Sequence, residues 1–173
     1  MNLKDELALE LENTRRDFHH LLDSVPEALY AHPSTNPAWT VGAVMYLITL
    51  GPVALRFEIW MLLHARGLFQ LAMNDLTSGM FNWVNARFAR RGKRVTRRGL
   101  RKAYETGHTG ILSGLKQMRE EDFARSIVYP NSFVSELAGE VSIERLYRYV
   151  SGHFEVHAAQ ISNDLSHHDD TKA

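Results

Sequence analysis

Along four long stretches of this chain, apolar side chains return every three or four residues, and no stretch alternates apolar with polar over the length of a strand. A 3.6-residue period places such positions on one face of an α-helix, so the pattern predicts an all-α protein. The first segment runs from about Leu3 to Asp23, with Leu3, Leu7, Leu11, Thr14, Phe18, Leu21 and Leu22 recurring at helical spacing. Asn2 is its expected cap, and Asp5 and Glu6 lie in the first turn, where the helix dipole favours acids. Pro26 and the run HPSTNPAW mark a loop. The second segment starts at Thr40 and reaches about Arg66, on Val41, Val44, Ile48, Leu55, Ile59 and Leu62. Pro52 in its middle predicts a kink or a split. The third starts at Thr96 and reaches about Met118 through Leu100, Tyr104, His108, Ile111 and Leu115. Gly99, Gly107, Gly110 and Gly114 each cost roughly 1 kcal/mol there relative to Ala. A closely packed neighbouring helix, a ligand, or a poorly formed helix accounts for them. The fourth is SIERLYRYVSGHFEVHAAQISNDL, with Ser142 as its cap.

Between the second and third segments lie about 30 residues punctuated by Gly67, Gly79 and Gly92, with one short amphipathic stretch at Met80, Phe81, Val84 and Phe88. So long a connection suits a bundle with a crossover. Residues 1–166 read as one domain and 167–173 as a polar, frayed tail.

Composition narrows the function. There are 173 residues, twenty basic and twenty acidic, and no cysteine. The neutral balance gives no general attraction to nucleic acid or anionic membrane. Without cysteine there is no thiolate metal site and no thiol nucleophile, so any metal must be held by nitrogen and oxygen. The acidic, amphipathic start does not resemble a signal peptide, and Val41 to Leu55, interrupted at Gly51-Pro52, is too short for a bilayer span. A cytoplasmic location is the expectation. Nine basic residues fall between Arg87 and Lys102, preceded by Phe81, Trp83 and Phe88. They read as a solvated hinge rather than a nucleic-acid patch, with one or two arginines available to an anionic substrate group. The serines match no nucleophile motif, and there is no P-loop or dinucleotide fingerprint.

The chemistry-bearing residues are His153 and His157. On a helical wheel they fall with Leu146, Val150, Ile161 and Asp164 within about 80°. An imidazole on an apolar face needs hydrogen bonds or a metal, or it costs on the order of 1–3 kcal/mol. Two such rings one turn apart can aim two nitrogens at one ion, or each can bond to a neighbour in the core. Glu155 lies between them but faces away, which makes it a weak general base. His19 and His20 are adjacent and face different sides of their helix. Trp39 reads as a packing anchor, and Trp60 and Trp83 as core or interface.

Three runs in order, LLDSVPEALYAHP, PAWTVGAVMYLI and HFEVHAAQI, are similar to signatures of the DinB/YfiT-like superfamily, over roughly residues 5–165. The resemblance implies a DinB-like four-helix bundle with a long crossover between helices two and three. It also implies a divalent metal, zinc, nickel or manganese, held by three histidines, one from helix two and two from helix four. His153 and His157 match the closing pair. The helix-two slot, counted from Trp39, holds Leu47, preceded by Tyr46, and leucine is no ligand. A third ligand would then come from Tyr46 or from another helix, through His108, His64, His19 or His20, with His108 favoured by its place at the edge of the apolar face. Glu58 shares the flank of Leu47 but lies three turns on.

Three functional expectations follow. The first is a DinB-like protein of unknown substrate whose incomplete site binds metal weakly or not at all and need not be catalytic. The second is a metal-dependent thiol transferase or hydrolase-like enzyme, using a low-molecular-weight thiol or water activated by the metal, with His153, His157 and a substitute ligand. The third is an interaction module that forms a homodimer through an apolar helix face. A small-molecule ligand is compatible with the first two.

Overall fold

The computed structural model of the chain describes residues 2–36, 38–73, 94–131 and 135–170. Four long helices dominate: α1 (Leu3–Ser24), α2 (Val41–His64), α4 (Arg97–Gln117) and α5 (Ile143–Asp170), with a short α3 (Arg66–Ala72) after α2. The expected caps are in place. The side chains of Asn2, Thr40, Thr96 and Ser142 accept the backbone N–H of Asp5, Ala43, Gly99 and Arg145. The fold is therefore helical, as the periodicity predicts.

Helices α1 and α2 each pack against both α4 and α5. Helix α1 runs parallel to α5: Glu10 meets Arg148, and Thr14 meets Ser151 at 2.7 Å. Against α4 it is antiparallel, with Glu12 on His108, Arg15 on Glu105 and Asp23 on Arg101. These half-exposed pairs are worth little energy singly, but together they fix the register of α1. Helix α2 runs parallel to α4: Thr49 and Val53 lie against Gly107, and Arg56 against Gly110. Gly107 lets the two approach: a Cβ there would lie 3.0 Å from Val53 and 3.5 Å from the Thr49 carbonyl. Of the explanations open for the α4 glycines, close helix packing holds at this one.

Two apolar clusters fill the interior. One, at the N-terminal end of α2, joins Phe18, Leu22, Met45, Ile48, Tyr104 and Ile161; the other joins Leu7, Leu11, Leu55, Leu62, Ile111 and Leu146.

Several expectations are corrected. Helix α2 runs through Pro52 as one helix, so of the two outcomes open there the split is excluded. It ends at His64, and Arg66 opens α3 instead of closing α2. At 24 residues α2 is long and apolar enough to cross a bilayer, contrary to the shorter stretch inferred from the sequence. Burial by its neighbours accounts for much of that apolarity, since twelve of its residues are buried. Val53, Phe57 and Trp60 remain exposed on its outer side, so Trp60 is not a core residue. Two four-residue strands, β1 (Ser126–Tyr129) and β2 (Gly139–Ser142), pair antiparallel where only loop was expected. They are too short to register as a period, yet Ile127, Tyr129 and Val141 bury into the second cluster. The backbone of α5 continues to Asp170, into what read as a tail. The amphipathic stretch at residues 80–88, Trp83 and the basic residues Arg87, Arg90, Arg91 and Lys93 lie outside the described residues.

Glu58 is a consequence of that strand pair. Tyr129 donates its hydroxyl to the Glu58 carboxylate at 2.5 Å. Burial outweighs this bond and pushes the carboxyl from 4.5 up to about 7. The folded chain thus keeps a proton that the unfolded chain releases above 4.5. Stability from the neutral carboxyl is complete below that value and is lost as pH rises through about 7. Glu58→Gln keeps an oxygen for Tyr129 and removes the charge. It should gain about 1–3 kcal/mol over the parent in urea denaturation at pH 8 and gain little at pH 5. An equal difference at both pH values would contradict the buried proton.

Candidate functional site

The i and i+4 spacing on α5 brings the rings of His153 and His157 to 4.7 Å between centroids, at 77°. Both line a cavity with Leu47 of α2, and His153 packs against α2 at Gly51. There Gly51 lies under His153, and a Cβ in its place would sit 2.7 Å from Nδ1. Any side chain larger than hydrogen would displace the ring. One turn earlier on α2, Leu47 forms part of the wall of a cavity of about 330 Å³ that both rings also line. Trp39, Val44, Tyr149 and Val156 supply the rest of its apolar wall, and Asn36, Glu136 and Gln160 its polar edge. That volume suits a small molecule.

The loop before α2 is fastened over the cavity from α5. Gln160 donates to the Ser34 hydroxyl at 2.8 Å, and the Thr35 N–H donates to Asp164 at 2.6 Å. Ser34 N–H and the Trp39 carbonyl close the loop at 3.0 Å. Trp39 therefore packs against the first cluster and also borders the cavity, a role the sequence did not suggest.

Gln160 also fixes the tautomer of His157. Its amide nitrogen is committed to Ser34, so its carbonyl oxygen faces His157 Nδ1 at 3.2 Å and must accept. The proton sits on Nδ1, and the Nε2 lone pair is left open. His153 has no hydrogen-bond partner among the described residues; its one polar surface is the cavity. Burial, and then the neighbouring His157, push His153 down to about 3, and burial also lowers His157 against the opposing bond from Gln160. Both rings are neutral lone-pair donors at pH 7. They suit a metal or a hydrogen-bond donor, and not an anion.

The other candidates are elsewhere. His108 is 3% exposed and bonds Glu12 at 3.1 Å in the α1–α4 seam, across the bundle from the cavity. Tyr46 packs against the first apolar cluster and is not among the residues lining the cavity. His19 bonds Glu105 in the same seam as His108, His20 is exposed, and His64 stacks on Trp60 at 5.2 Å. Glu58 is taken by Tyr129, and Glu155 is exposed. Among the described residues no three His, Asp or Glu side chains converge in a metal-binding group. The sequence reading missed Asn36, Tyr149, Glu136 and Gln160. Gln160 was available from its spacing, three residues past His157 on the same face. Glu136 comes from a short turn with no periodic signal. Compared with family models, with curated proteins and with solved structures, the chain matches none significantly.

In metal-free protein, NMR titration should find the His153 ring neutral down to pH 5, where an ordinary histidine of pKa about 6.5 is almost fully protonated. His157 should carry its proton on Nδ1. Titration of His153 near its ordinary value would place the ring in water.

Proposed function

We propose that the chain is a DinB-like helical protein whose cavity holds a small neutral molecule against two imidazoles, and whose metal centre is reduced below the family's three histidines. The carrying observation is Leu47 in the wall opposite His153 and His157. A catalytic zinc site takes three protein ligands and keeps a fourth position open. Two nitrogens and a leucine do not fit that requirement, so no reaction step is assigned to a metal here. What remains is a recognition surface. Neutral Nε2 of His157 accepts a hydrogen bond, His153 offers one more nitrogen, and Trp39, Leu47 and Val156 cover an apolar body. The ligand class that fits is a small uncharged molecule with one or two O–H or N–H groups.

Glu136 at the cavity edge supports a second reading, in which its carboxylate joins the two histidines to hold a metal for thiol transfer or hydrolysis. Metal analysis of untagged protein separates the two. The first reading expects well under one ion per chain after dialysis, and about one zinc per chain once Leu47→His restores the family set. Because Leu47 is only partly buried, that substitution should cost about 1–2 kcal/mol and leave the fold intact. About one zinc per chain in the parent, lost in His157→Ala and Glu136→Gln, would establish the second reading and end the first.

A further inference from the structure

The glycines of α4 serve more than helix packing. A second cavity, of about 480 Å³, opens between α2 and α4 on the side of α2 away from the histidines. The side chain of Arg56 crosses Gly110 of α4, where a Cβ would meet its Nη1 at 2.7 Å. Tyr147 reaches the same space from α5; a Cβ at Gly114 would lie 3.4 Å from its hydroxyl. Tyr147 is 2% exposed, and its hydroxyl has no hydrogen-bond partner among the described residues. That hydroxyl borders the cavity, where it is able to donate to a bound acceptor.

The charges around the cavity do not cancel. Arg119 pairs with Glu121 and Asp122, at 3.2 Å each, and Arg125 pairs with Asp122 at 3.0 Å. Those two cations are balanced by those two anions. Arg56 makes no ion pair or hydrogen bond among the described residues, so its charge is the surplus. Ile59 and Trp60 provide apolar wall beside it.

We propose that this cavity binds a small molecule bearing one oxyanion, a carboxylate or a phosphate monoester. Its charge pairs with Arg56, one oxygen accepts from the Tyr147 hydroxyl, and its apolar body lies on Ile59 and Trp60. This site is separate from the histidine cavity in residues and in charge preference, and it stands whether or not that cavity binds metal.

The test is calorimetric titration of the full chain with phenyl phosphate and with benzoate, using benzyl alcohol as the uncharged control. At least one anion should bind saturably, at about a millimolar or tighter, and the alcohol should not. Which anion binds more tightly distinguishes the phosphate ester from the carboxylate. Arg56→Gln, at an exposed position, should weaken binding about tenfold or more. Tyr147→Phe keeps the ring in the core and should weaken it about threefold or more. His157→Ala should change nothing. If Tyr147→Phe fails to fold, Arg56→Gln decides alone. Absence of saturable binding, equal binding by the alcohol, unchanged binding in Arg56→Gln, or loss in His157→Ala would each overturn the proposal.

Discussion

The close approach of α2 to α5 at Gly51 organises this molecule. A side chain there would strike the His153 ring, so hydrogen at that position lets an imidazole lie against the helix backbone. The contact fixes the height of α5 on α2. That height brings Leu47 level with the two histidines and places Gln160 and Asp164 under the loop that carries Trp39. Cavity, tautomer and roof follow from one small residue. The same helix approaches α4 closely at Gly107, so α2 is held from both sides and contributes to a cavity on each.

Those two cavities have opposite electrical character. On the α5 side both histidines are neutral, because burial lowers each and outweighs the bond from Gln160 at His157, and the one acid there, Glu136, stands at the edge. The α4 side carries the guanidinium of Arg56, which has no ion-pair partner among the described residues. Arginine stays charged at any ordinary pH, whereas a buried histidine yields its charge. Residue type therefore settles which cavity accepts an anion, although both are cut into the same helix.

The elements with a period were legible in the sequence. Asn2, Thr40, Thr96 and Ser142 all cap where the pattern put them, because capping depends on a residue and the three that follow it. The inward turn of His153 and His157 was legible for the same reason. What escaped was set by packing. Strands of four residues hold too little alternation to see, and the sequence left open a split at Pro52 that the continuous α2 excludes. His108 lay on an apolar face, as expected, but that face meets α1. Glu12 completes it there, so a wheel diagram could not tell an α1-facing histidine from one facing α5. Glu136 and Asn36 reach the cavity from irregular chain, where spacing carries no information.

The two histidines are unequal, and the difference bears on what the cavity holds. His157 has Gln160, and through it Ser34, so one of its nitrogens is satisfied from within the fold. His153 has no such partner among the described residues. His153 is only partly buried and lines the open cavity, where nearby Leu47 offers its ring no partner. Solvent can answer a nitrogen that faces the cavity, so the free ring carries no full desolvation cost. An apolar molecule seated there would strip that bond and replace it with nothing, which costs roughly 1–3 kcal/mol. A ligand that donates to both rings keeps the bonds, which favours donors over apolar molecules of the same shape.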